Sequence, residues 1–214
     1  MRLVAESYTA NVACALMALH DLRIVHRDLK PENLILDADG YLKLIDYGVS
    51  KLVDSHTYTV CGTPGFMAPE IISQRGHNTA ADWFALGALV YEMLTNRPAF
   101  DGSFPSGYQA VLSGAYRPFP SPPSETAHDI VARLLIVSPQ QRLTGGTEFT
   151  SHPFFGTMSF VDLERKRVAA PFLPTINDAT DLSNVVAEEK VLEGMSAAEW
   201  ALREQECIEA FADF

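Results

Sequence analysis

The sequence has 214 residues, 47% hydrophobic and 20% charged, the profile of a globular chain long enough to bury a core. Its formal net charge of -11 is uneven, since residues 178–214 hold ten acids and two bases, and no basic stripe is present to make nucleic acid the main partner. No apolar run spans a bilayer, no signal-peptide pattern follows Met1, and the dispersed Cys14, Cys61 and Cys207 form neither a CxxC pair nor a zinc cluster.

A soluble, intracellular and cytoplasmic protein with free thiols is therefore expected. In chain order, Val4, Tyr8, Val12, Ala15, Leu16 and Leu19 fall at helical spacing, which predicts a largely buried helix over Val4–His20. Ile24-Val25 leads into a polar loop ending near Asn33. Leu34–Leu36 and Leu42–Ile45 flank Asp37-Ala38-Asp39-Gly40, a hairpin signal. Residues 47–69 are rich in polar residues and breakers and predict a long exposed loop, a length that is usually functional.

Ala80–Leu94 is apolar on nearly every face, the pattern of a helix at the centre of a helical domain. Prolines from Pro98 to Pro123 punctuate the next stretch. Ala127–Ile136 predicts an amphipathic helix with Ser124 as its cap. Pro171 and Pro174 suggest an extended strap, followed by the acidic segment. The fold class is mainly α with a short β-hairpin.

The chemistry concentrates in His26-Arg27-Asp28-Leu29-Lys30-Pro31-Glu32-Asn33. Its five fixed positions fit H-R-D-L-x-x-x-N, a match that arises by chance about once in three million starting points. Phosphoryl transfer needs an oriented hydroxyl, a cation beside the migrating phosphate and oxygen ligands for hard metal ions. Asp28 suits the first role as base, Lys30 the second, and the Asn33 amide oxygen the third, as a ligand of Mg²⁺. The segment resembles the catalytic loop of protein kinases.

That resemblance extends along the chain. Asp46-Tyr47-Gly48 stands where kinases carry the metal-binding D-F-G, with Tyr in place of Phe, so Asp46 is implied as a second Mg²⁺ ligand. Cys61-Gly62-Thr63-Pro64 followed by Ala68-Pro69-Glu70 resembles the close of an activation loop, with Thr63 near Asp28 and Lys30. Arg142 resembles the family's partner for Glu70, a structural ion pair. His26 is read as a packed core histidine and Asp82 as an anchor for the catalytic-loop backbone.

Within the kinases, the chain is similar to the AGC group of Ser/Thr enzymes, especially the cyclic-nucleotide-dependent ones. Tyr41–Lys51, Thr57–Pro64 and Asp82–Gly87 carry this likeness, His152–Phe155 resembles the end of the catalytic domain, and Lys30-Pro31-Glu32 is the Ser/Thr form. The resemblance implies ATP and Mg²⁺ as cofactors. It also implies Thr59 as the activating phosphothreonine, held by Arg27 and Lys51. Glu32 and Glu92 would read a basic side chain near the target Ser or Thr, and an upstream activating kinase would be a partner. Gly65 departs from the usual Glu, which removes one contact to a more distant basic residue. Pro171–Pro174 and Phe211-Ala212-Asp213-Phe214 resemble the start and the closing hydrophobic motif of an AGC tail, with Phe211 and Phe214 as its anchors.

The implied organisation is a partial catalytic domain, the kinase large lobe, over residues 1–155, and an acidic C-terminal tail over 156–214. No G-x-G-x-x-G loop and no strand Lys with a helix Glu partner occur, so the small lobe is expected to be absent and the chain alone nearly inactive. Two readings follow. One is a fragment of an enzyme that transfers the ATP γ-phosphate to Ser or Thr. The other is a truncated, non-catalytic pseudokinase that binds partners. Asp28, Lys30, Asn33 and Asp46 together favour the first.

Overall fold

The computed structural model describes residues 2–176 except Pro122. The first helix, α1 (Arg2–Asp21), follows from the apolar spacing and buries Ala5, Ala10, Val12, Ala13 and Leu16. Two short strands, β1 (Ile24–Val25) and β2 (Leu34–Leu36), enclose the polar loop, which ends in a 3-10 turn over Pro31–Asn33. Strand β3 (Leu42–Leu44) pairs antiparallel with β2 in the register Leu34↔Leu44 and Leu36↔Leu42. The Asp37 carboxylate organises the turn between them by accepting from the Asp39 and Tyr41 amides at 3.0 Å and 2.9 Å.

The segment 47–69 departs from a purely exposed loop. It contributes β4 (Lys51–Leu52), antiparallel to β1, and it buries Val53, Thr57, Met67 and Ala68. The polar composition hides Val53 and Thr57 because each is a single inward side chain between outward ones, while Met67 and Ala68 lead into the buried start of the next helix. A β-bridge between Thr57 and His77 pins its middle. The short helix α2 (Pro69–Ile72) follows, with proline at its first position, where the missing N–H costs nothing.

Helix α3 (Ala80–Thr95) runs through the centre, with every residue from Ala80 to Tyr91 buried. It packs on α1 and on α5 (Glu125–Leu134). The Ser124 hydroxyl caps α5 by accepting from the Ala127 amide at 3.2 Å. Between them lies α4 (Ser106–Ser113), and beyond α5 come α6 (Thr147–Thr150) and α7 (Phe160–Glu164). Trp83, Phe149, Phe155 and Phe160 form a chain of ring contacts with centroids 4.8–5.1 Å apart that ties this end to α3.

Residues 166–173 cross the hairpin as an extended strap. Lys166 donates to Asp37 and Asp39 at 2.7 Å and 2.8 Å, and the Tyr41 hydroxyl donates to the Val168 carbonyl. Gly40, at φ +79°, leaves no room for a side chain beneath the Phe172 carbonyl and Ala170. Cys14 and Cys61 are free thiols, and no described helix is long and apolar enough to cross a membrane. Cys207, the acidic segment and the Phe211–Phe214 motif lie outside the described residues.

Candidate active site

The site is built on the loop between β1 and β2, and buried side chains hold that loop in a demanding conformation. Arg27 takes φ 71°, a region unfavourable for a residue with a Cβ. The Asp82 carboxylate on α3 fixes it, accepting from the His26 amide at 2.9 Å and the Arg27 amide at 2.8 Å. Asp82 is itself held by His20, whose other ring nitrogen accepts from the Trp83 indole at 3.2 Å. His26 is fully buried, with its ring nitrogens near the Ile45 carbonyl and the Asp28 amide. Sequence spacing gives no hint of the His20 link, because its partners lie on a helix about sixty residues away.

Around that loop, Asp28, Lys30, Asn33 and Thr63 converge. The Thr63 hydroxyl donates to Asp28 Oδ1 at 2.6 Å and accepts from Lys30 Nζ at 2.9 Å. Lys30 Nζ also lies 3.1 Å from Asp28 Oδ2. The Asn33 amide nitrogen donates to the Asp28 carbonyl at 2.7 Å and to Oδ2 at 3.2 Å. Burial works to raise the Asp28 carboxyl, but the bonds from Thr63 and Lys30 outweigh it and hold the group below its ordinary range. Asp28 is therefore an ionised carboxylate at neutral pH. Gly62, at φ +109°, lets this loop approach the Arg27 carbonyl, where a Cβ would sit 2.7 Å away.

Both side-chain hydrogen bonds of Asn33 run from its amide nitrogen to Asp28 and neither uses its amide oxygen. The hairpin brings Asp46 to the same end, because the Ile45 amide donates to the Asn33 carbonyl at 2.9 Å. Asp46 is exposed at φ 60°, and one of its oxygens accepts from the Gly48 amide at 3.0 Å. One amide and one carboxylate oxygen suit a hard divalent ion that takes its remaining ligands from phosphates and water. No cluster of three His, Cys, Asp or Glu side chains forms a metal site among the described residues. The Tyr47 ring packs edge-on against His26 at 5.4 Å, and its hydroxyl donates to the Leu44 carbonyl at 3.2 Å, so the extra oxygen is partnered.

The activation-loop residues are only partly brought together. Arg27 Nε donates to the Val49 carbonyl at 2.6 Å, while its Nη1 is buried without a partner. Lys51 Nζ donates to Thr57 at 3.2 Å rather than to Thr59, which stands exposed. Glu32 and Glu92 share an acidic neighbourhood: burial and then the Glu32 charge push the Glu92 carboxyl up. Glu70 and Arg142 meet in the core through paired hydrogen bonds.

Residues 2–155 match the protein kinase domain family. The cAMP-dependent protein kinase catalytic subunit 3 of Drosophila melanogaster is 40% identical over 182 residues, covering 83% of this chain and 31% of that protein. The human cAMP-dependent protein kinase catalytic subunit PRKX is 39% identical over 182 residues, covering 83% of this chain and 51% of its own length. The cAMP-dependent protein kinase catalytic subunit of Dictyostelium discoideum is 40% identical over 197 residues, 88% of this chain and 30% of that protein. The chain thus spans about half, or less, of the length of these curated relatives. A family match over most of its length, and similarity to these catalytic subunits, make the chain a member of the protein kinase family, in the AGC group of Ser/Thr kinases.

Proposed function

We propose that the chain is the large-lobe part of an intracellular Ser/Thr kinase, residues 1–155, followed by an AGC-type tail over 156–214. The observation that carries this reading is the Thr63–Asp28–Lys30 arrangement, which holds one ionised carboxylate beside one ammonium. Asp28 accepts the proton of the incoming Ser or Thr hydroxyl, a role worth about 10²–10⁴-fold in rate. Lys30 offsets the charge of the transferring phosphoryl group, and Thr63 keeps the two side chains in register. Protein kinases use ATP with Mg²⁺; here Asn33 and Asp46 would hold the metal, which neutralises phosphate charge.

Glu32 and Glu92 would receive a basic side chain near the target residue. The raised Glu92 carboxyl supports this, because a half-buried acid beside a second, exposed one gains from a cation. Arg27 and Lys51 would take the phosphate of phosphorylated Thr59, placed there by an upstream kinase. The unpaired, buried Arg27 Nη1 is the donor such a phosphate would satisfy. Phe211 and Phe214 would anchor the tail to a small lobe. The sequence keeps Asp28, Lys30, Asn33 and Asp46 together, which weighs against a purely binding role.

The test is transfer of labelled phosphate from ATP to a serine peptide carrying arginine. The chain would be joined to a small lobe that covers the nucleotide. Mg²⁺-dependent transfer is expected; a well-folded product that binds ATP and peptide yet transfers nothing would overturn the reading.

A further inference from the structure

Behind the activation segment lies a cavity of about 830 Å³. Its walls come from His56, from the turn after α2 with Arg75 and His77, from Leu112 on α4, and from residues 136–141 after α5. The polar groups in these walls are one-sided. The Arg75 guanidinium is exposed, and neither it nor the His56 ring has a partner among the described residues. His77 is 2% exposed, and its Nε2 is buried with no hydrogen-bond partner. Glu70 is the one acid of the lining, and both its oxygens are taken by Arg142.

A buried ring nitrogen without a partner calls for a ligand. Burial, followed by the Arg27 charge, lowers the His77 pKa, so the ring is neutral at pH 7 and offers one N–H. Arg75 adds a planar fork of donors suited to a phosphate oxygen pair. His56 adds a third donor at the mouth. Arg27 and Lys51, the cations of the Thr59 reading, do not line this cavity.

We propose that this cavity is a second anion site, which takes a small phosphate-class oxyanion through Arg75, His56 and the buried His77 ring. Its position gives occupancy a structural consequence. His77 exchanges backbone hydrogen bonds of 2.9 Å and 2.8 Å with Thr57, so a bound anion secures the turn after α2 and the activation segment together.

The test is a titration of the full chain, labelled with ¹³C in its histidine rings, with inorganic phosphate at fixed pH and ionic strength. The His56 and His77 ring resonances should shift saturably. Arg75→Gln, an exposed change that leaves the core intact, should weaken the apparent Kd about tenfold or more. Because the Lys51 charge also acts on His77, Lys51→Gln should weaken that Kd, but less than Arg75→Gln does; a larger loss in Lys51→Gln would place the anion on the activation-loop cations instead and overturn the proposal. Histidine rings that do not respond to phosphate, or an unchanged Kd in Arg75→Gln, would overturn the proposal.

Discussion

Arg142 grips Glu70 through two hydrogen bonds of 2.7 Å and 2.9 Å, at a place where the arginine side chain is wholly buried and the glutamate is 5% exposed. Arg142 also donates to the carbonyls of Ile136, Ala80 and Val137, so one guanidinium joins the first turn of α2, the start of α3 and the turn after α5. Breaking such a pair leaves a buried charge and costs about 3–5 kcal/mol. Arg142→Ala should therefore destabilise the chain more than Glu70→Ala, because it also strips three carbonyls of their donor. Urea unfolding of the two variants checks the order; equal losses would mean that the carbonyl bonds contribute little.

The Thr63 hydroxyl is a second such joint. It donates to Asp28 and accepts from Lys30, so removing it frees both side chains. Thr63→Val should raise the Asp28 pKa, because one of the hydrogen bonds that outweigh burial is gone, while Thr63→Ser should keep it low. In the complete enzyme Thr63→Val should slow transfer by about 10²-fold through misplacement of the base. A carboxyl-carbon titration followed by NMR, with the matching rate assay, reads both effects.

The strap over the hairpin gives a pH signature. Burial works to raise the Asp37 carboxyl, but Lys166 and the Tyr41 and Asp39 amides bring it down to about 2. Because the folded value lies below the unfolded one, near 3.9, this contribution is complete above about pH 4. It is lost as pH falls from there toward 2. Lys166→Ala should lower stability at pH 6 and flatten its further fall on acidification, which urea midpoints across that range measure. A variant with the same acid dependence as the parent would remove Lys166 from the account.

Glu92 supplies a binding prediction. Glu32→Gln should lower the Glu92 pKa, since one of its two causes is the neighbouring charge. An arginine-containing peptide should bind about tenfold more weakly to Glu92→Gln, the loss expected for one charge-assisted pair. Calorimetric titration with that peptide and with a lysine-free, arginine-free control separates the effect from nonspecific charge.

Much of this was legible in the residues. The continuous apolar run from Ala80 announced the central helix, Asp37–Gly40 announced the hairpin, and Ser124 marked the start of α5. The loop motif over His26–Asn33 singles out Asp28, Lys30 and Asn33, and Cys61-Gly62-Thr63-Pro64 singles out Thr63. What stayed hidden depends on distant partners. Helix α4 sits among prolines and buries only Gly107 and Val111, too few apolar positions for a periodic signal. Strands β1 and β4 are two residues each and exist only through their pairing. The strap and Gly40 meet across more than a hundred residues, and the isolation of His77 Nε2 is a property of packing alone.

The most direct measurement of the central claim is the single-turnover rate of phosphate transfer to a serine peptide, parent against Asp28→Asn, in the chain completed with a small lobe. The substitution keeps the shape but removes the proton acceptor, so nucleotide and peptide affinities should persist while the chemical step slows by about 10²-fold or more. Equal rates in the two proteins would contradict the assignment of Asp28 as the base.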